Sequence, residues 1–294
     1  MPTIKEKIDE ILERHYYERL EGIGINLYEL GKWYSKVYVS LPITDSSIKS
    51  FNHNEAFKLF QEFKKNDFLD YFERGYTEDE NELKLNFKLK KQDKISTEKI
   101  LNTIRGYINI KDDELKEILN LAKIKVSDSK TREYEALYFI NLTFDLKKIE
   151  NSLKRVSCYY MIRFEAIGPI EIISEKYYKE YITSSNRFFS KLVKDYYVIS
   201  EIGAGSFYIA TIDFYSNGKR TYKLYFKIKD NILLFKKLKE LFKFNSFFLK
   251  KICEIENYLI FNKKKLNLIF LAFCINNKNE QSLNFYFVKK KNRS

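Results

Sequence analysis

In the run RTYKLYFKI, residues 220–228, Lys223, Tyr225 and Lys227 recur at every second position. An extended chain puts their two ammonium groups and one phenol on one face, and Tyr222, Leu224, Phe226 and Ile228 on the other. Such a face is either solvated or lines a cavity that takes an anion. Other strand-like runs are divided in the same way. Tyr159 goes with Arg163, Tyr286 lies in the last run, and Lys84 and Lys88 lie opposite Leu83, Leu85, Phe87 and Leu89. Other chemistries have little to build on. The two histidines, His15 and His53, lack Cys/His partners at zinc-binding spacing, so no metal-ligand set is expected. Gly203-Ala204-Gly205-Ser206 has no following lysine and precedes a strand, unlike a phosphate loop. There is no nucleophile elbow.

The chain has 294 residues, 45% of them hydrophobic, enough for one large domain or two small ones and for a sizeable core. A net charge of +13 points to an anionic partner: nucleic acid, a phosphorylated small molecule or an acidic peptide. Cys158, Cys253 and Cys274 are odd in number and far apart, which reads as free thiols in a reducing compartment. The charged, amphipathic start MPTIKEKIDEILERHYY is no signal peptide, and no apolar run approaches the ~20 residues of a spanning helix. The expected location is the cytoplasm, with no membrane partner.

The elements that must position these residues follow from periodicity. Helices are expected over 4–21, 54–66, 96–107, 112–122, a broken stretch from 174 to 196, and 229–252. Strand pairs are expected at 68–76 with 83–90, 137–145 with 156–164, 207–228, and 266–275 with 282–288; the stretch 27–41 ends as a strand at Pro42. Asn217-Gly218 is the dipeptide of a two-residue type I′ turn, which would pair Ser216 with Lys219. That register sets Thr221, Lys223, Tyr225 and Lys227 opposite Phe214, Ile212, Ala210 and Tyr208, and turns Asp213 and Thr211 to the other face. Consecutive antiparallel hairpins with intervening helices exclude a parallel doubly wound sheet. They fit an α+β fold in which eight to ten strands close into a barrel ringed by helices, with the Lys/Tyr faces lining its lumen. An open sheet with one wet face would show the same alternation.

At this point the chain resembles a known family. TIDFYSNGKRTYKLYFKI is similar to the hairpin of the ABBA prenyltransferases, especially the cyanobactin type that modifies ribosomal peptides. Phe144-Asp145-Leu146, the strand ending Met161-Ile162-Arg163, and the last hairpin ending Asn284-Phe285-Tyr286 extend the likeness over residues 55–290. The resemblance implies a closed antiparallel barrel of about ten strands built from αββα units. It makes 1–294 one domain, with 1–53 completing the barrel as a helix and a strand.

The resemblance also implies an activity. A dimethylallyl or geranyl group would pass from its pyrophosphate to a side chain or terminus of a peptide, with Mg2+ assisting through the pyrophosphate. Lys223, Lys227, Arg163 and Lys88 would bind the pyrophosphate. Tyr159, Tyr208, Tyr225, Tyr286 and Phe214 would shield the allylic cation, and Glu73 on the first strand of the family pattern would act as base. Where related strands carry a lysine this chain has Ser157, so one phosphate contact is missing or moved to Arg155. The expected partners are a prenyl pyrophosphate and a peptide, bound by a monomer. The alternatives are a nucleic-acid-binding sheet, whose basic residues would form an open outer stripe, and a non-catalytic barrel holding a small anionic ligand.

Overall fold

The structure, a computed structural model, describes residues 2–14, 20–39, 54–65, 69–77, 82–89, 94–108, 110–116, 125–127, 133–135, 137–145, 147–148, 152–161, 187–262 and 266–289. Its strands are β1 (Leu20–Tyr28), β2 (Lys32–Val39), β3 (Leu69–Thr77), β4 (Glu82–Leu89), β5 (Lys125–Ser127), β6 (Glu133–Glu135), β7 (Leu137–Asp145), β8 (Leu153–Met161), β9 (Gly205–Tyr215), β10 (Arg220–Ile228), β11 (Leu266–Asn276) and β12 (Gln281–Lys289). Its helices are α1 (Ile4–Arg14), α2 (Asn54–Lys65), α3 (Lys94–Arg105), α4 (Arg187–Glu201), α5 (Asn231–Leu241) and α6 (Ser246–Phe261). All strands except the separate β5–β6 pair form one closed antiparallel barrel in the order β1-β12-β11-β10-β9-β8-β7-β4-β3-β2. Pairing of Val37 with Tyr76 joins β2 to β3 and completes the ring.

Two-residue periodicity sorts every strand between two environments. Ile23, Ile25, Leu85, Leu142, Ile212, Leu224, Phe226, Leu271 and Phe285 face outward into one continuous core, together with Phe60 and Phe63 of α2, Phe189 of α4, Leu238 of α5 and Ile255 of α6. The inward row begins with Tyr225, Ala272 and Cys274, against which Tyr159, Ile209, Phe270 and Tyr286 pack. Burial pushes the Cys158 thiol up to about 12 and the Cys274 thiol to about 11, so both stay protonated at neutral pH.

The structure corrects four sequence expectations. The first helix ends at Arg14 and the chain is a strand from Leu20, so the N-terminal part supplies a whole hairpin, β1–β2, to the barrel. The expected helix over 229–252 is two helices, because two side chains cap fresh N-termini. Asp230 accepts from the Ile232 and Leu233 amides at 2.8 and 3.0 Å, and Asn245 accepts from the Phe248 amide at 3.0 Å. The β9–β10 turn has three residues, not two. The Tyr215 amide donates to the Lys219 carbonyl at 3.0 Å, with Gly218 at φ 80° inside the loop. The pairing therefore slips by one: Thr221 faces Asp213 and Lys223 faces Thr211.

That slip exchanges the two sides of β9. Asp213 and Thr211 turn into the lumen. Phe214 turns out into the core, where the Arg220 guanidinium lies 4.8 Å from its ring centre. Arg220 in turn grips Glu114 with two hydrogen bonds of 2.7 and 2.6 Å, tying the hairpin to the helical turn at 112–116. Phe214 is thus a packing residue and not a lumen aromatic.

Candidate active site

Ladder register brings the lumen-facing side chains into rows across the strands. One row runs Asn86, Asn141, Ser157, Asp213, Thr221 through β4, β7, β8, β9 and β10. Beside it Arg155 comes in from β8 and Lys223 from β10. Lys223 Nζ lies 2.5 Å from Asp213 Oδ2, and Arg155 Nη1 lies 3.8 Å from the same oxygen. Asp213 has no exposed surface, and Arg155 and Lys223 are each 7% exposed. Burial pushes the Asp213 carboxyl up, but Lys223 and Arg155 outweigh it and hold the group below its ordinary value. Burial pushes Lys223 down, and Asp213 more than reverses this, so the lysine is held charged well above its ordinary value.

The remaining Arg155 hydrogens go to the Thr143 hydroxyl at 3.0 Å and the Tyr215 phenol at 3.3 Å, while Nε has no partner. Thr143 passes the network to Asn141 at 2.9 Å, and Asn141 donates to Asn86. Among the described residues, the buried charges on the lumen side are Lys36, Lys84, Arg155 and Lys223 against Glu82 and Asp213, a surplus of two cations. Burial lowers the local dielectric, so each charge acts at longer range than on the surface.

Next to this charged cluster is a belt of rings. Tyr159 and Tyr225 have centroids 6.0 Å apart, Tyr225 and Tyr286 5.4 Å, and Tyr286 and Tyr38 5.9 Å; Phe139 meets Tyr159 edge-on at 5.5 Å. The phenols of Tyr225 and Tyr286 touch at 3.3 Å. Burial raises all four tyrosines, Tyr159 to about 12, so they are neutral rings on the lumen side. Gly24 of β1 makes the belt possible, because a Cβ there would lie 3.2 Å from the Tyr38 ring and 3.4 Å from its hydroxyl.

Of the residues singled out from the sequence, Lys223, Tyr159, Tyr225 and Tyr286 meet in this lumen. Lys227 is exposed at the barrel mouth, four residues and roughly 13 Å along β10 from Lys223, outside the buried cluster. Glu73 pairs with Asn86 in the ladder, Lys88 with Phe139, and Tyr208 sits at the β9 bulge between Phe207 and Ile209. The side chains of those three lie outside the described residues, as does Arg163 entirely. Arg155, to which the sequence left a displaced phosphate contact as one option, lies in the buried cluster beside Asp213. Asp213, Tyr38, Thr143 and Asn26 were missed. Asp213 had a signal: an acid between Ile212 and Phe214 in a central strand is a conspicuous misfit.

No family model and no curated protein matches the chain. Solved structures do. AnaPT from Neosartorya fischeri superposes with a TM-score of 0.57 at 10% identity, covering 92% of this chain and 80% of that one. The NotF prenyltransferase in complex with brevianamide F and DMSPP gives 0.58 at 9% identity, with the same 92% and 80% coverage. A second NotF prenyltransferase structure gives 0.50 at 12%. At such identities the likeness is one of fold, and the fold is the prenyltransferase barrel that the motifs resembled.

Proposed function

We propose that this chain is a prenyltransferase that moves a dimethylallyl or geranyl group from its pyrophosphate to a peptide made on the ribosome and then cyclised, as in the cyanobactin type. One observation supports this most: a buried cation pair and a belt of neutral tyrosines share the lumen of a barrel with the prenyltransferase fold. Arg155 and Lys223 are proposed to hold the pyrophosphate. Breaking the C–O bond concentrates negative charge on the leaving group, and fixed cations stabilise that change more than they stabilise the ground state. The belt of Tyr38, Tyr159, Tyr225 and Tyr286 shields the allylic cation, each face contributing about 0.5–2 kcal/mol. Glu73 is proposed as the base and Lys88 as a further phosphate contact, on their ladder positions; Arg163, Lys227 and Tyr208 keep the roles that the resemblance implies. The chain acts in the cytoplasm as a monomer.

Mg2+ fits as a passenger of the pyrophosphate. Among the described residues no three Asp, Glu, Cys or His side chains gather into a metal cage. Asp213 is the carboxylate beside the cation pair and would be its protein oxygen, in keeping with a metal held largely by substrate phosphates. The ion would neutralise phosphate charge.

The nucleic-acid alternative needs an open basic stripe, whereas Lys223 and its tyrosines point into a closed ring where a phosphodiester backbone cannot track them. The non-catalytic alternative is separated by turnover. Dimethylallyl pyrophosphate, Mg2+ and a panel of cyclic and linear peptides should yield a product heavier by one C5H8 unit. Donor binding with no product from any acceptor, or from water, would favour the non-catalytic barrel.

A further inference from the structure

A further set of unmet polar groups among the described residues of the lumen lies on the β1–β12 wall. Asn26 and Asn284 stand directly opposite each other in that ladder. They are 0% and 5% exposed, and Asn26 Nδ2, Asn26 Oδ1 and Asn284 Oδ1 have no hydrogen-bond partner. Their neighbours Ile25, Leu27, Leu283 and Phe285 belong to the outer core, so alternation turns both carboxamides inward. In the same row Asn284 faces Ala272 and Ala272 faces Tyr225, and the Asn284 side chain hydrogen-bonds the Tyr286 phenol, so the amides adjoin the aromatic belt. A buried carboxamide with unmet polar atoms opposes folding, and Leu or Val would fit this wall without that cost.

We propose that Asn26 and Asn284 form the acceptor subsite for a peptide-like amide, a step that rests on the transfer reading above. Asn26 Nδ2 donates to the amide carbonyl, and a carboxamide oxygen of Asn26 or Asn284 accepts from the amide N–H. An ester of the same shape lacks that N–H and would leave an oxygen unmet, so the wall selects amide over ester. Because both side chains are sealed in the free chain, the acceptor reaches them by displacing a lumen side chain.

The test needs no prenyl donor. In the 15N-labelled full chain, the Asn26 side-chain NH2 signals are assigned by their loss in Asn26→Leu. N-acetylalanine N′-methylamide is titrated in, then methyl O-acetyl-lactate, in which both N–H groups are replaced by oxygen. The amide is expected to shift the Asn26 signals saturably and to bind at least about tenfold more tightly than the ester. In addition, ligand-free Asn26→Leu or Asn26→Ala should melt no lower than the parent. Equal binding of the two probes, as an internal water filling the site would produce, overturns the proposal. So does a lower melting temperature in both variants, which would mean that the asparagine is satisfied within the fold. A chain that takes the amide but no prenyl pyrophosphate overturns the transfer reading and leaves the subsite standing.

Discussion

The two faces of the β9–β10 hairpin are equally buried and chemically opposite. Outward, Ile212, Phe214, Leu224 and Phe226 meet helices and other strands in the apolar core, with Arg220 at its edge on Phe214. Inward, Asp213, Thr211 and Lys223 are as deeply enclosed, yet they carry two charges and an unmet hydroxyl group. Burying a charge pair gains little over burying a well-packed hydrocarbon, and often loses. The outer face therefore holds the barrel together, and the inner face is kept for something other than stability. The buried cations, the neutral rings and the carboxamide atoms left unmet on the β1–β12 wall all belong to that second category.

The contrast breaks first, and by the largest amount, on the outer face. Phe226→Ala should destabilise the barrel by about 3–5 kcal/mol through transfer and cavity costs, measured by denaturant unfolding. On the inner face the cost should depend on how the pair is broken. Lys223→Met alone leaves Asp213 as an under-compensated buried charge and should cost about 3 kcal/mol or more, whereas Lys223→Met/Asp213→Asn removes both charges and should recover most of it. If the double variant is no more stable than the single, the ion pair is not what balances the lumen.

The same pair predicts a pH dependence. Asp213 is depressed in the folded chain, so its contribution is full above the unfolded carboxylate value of about 3.9 and fades as pH falls through the lower folded value. Lys223 is raised, so its contribution is full below the ordinary lysine value and is lost only as pH climbs through the higher folded one. The stability gap between parent and double variant should therefore stay level from about pH 5 to about pH 9 and change only outside that window. The smallest effect expected is at Gly24. Gly24→Ala intrudes on the Tyr38 ring and should weaken prenyl-donor binding severalfold, with a stability change under about 1 kcal/mol.

These contrasts also decide what the sequence could tell. The outer face was legible because apolar alternation in runs such as Leu83 to Leu89 is a direct print of burial. The lumen was legible only where it inherits that alternation: Lys223, Tyr225, Tyr159 and Tyr286 stand inward because their neighbours stand outward. Asp213 was lost to one residue of turn length at Ser216-Asn217-Gly218, since a slip in register exchanges the faces of the whole strand. The β1–β2 hairpin was half lost for a different reason. LEGIGINLY carries Gly22 and Gly24, which weaken strand propensity, and their purpose appears only against partners far along the chain. Gly22 lets the Phe287 carbonyl approach, and Gly24 makes room for Tyr38.

The central claim is that Arg155 and Lys223 hold a prenyl pyrophosphate. Calorimetric titration of dimethylallyl pyrophosphate into the parent and into Lys223→Met/Asp213→Asn, with and without Mg2+, tests it most directly, because the double variant leaves the net charge of the lumen unchanged and the Mg2+-free arm separates loss of the lysine from loss of the Asp213 oxygen. The account predicts a saturable isotherm for the parent, competed by inorganic pyrophosphate, and at least about tenfold weaker binding in the folded double variant. Equal affinity in the two proteins, or no binding to the parent, would contradict it.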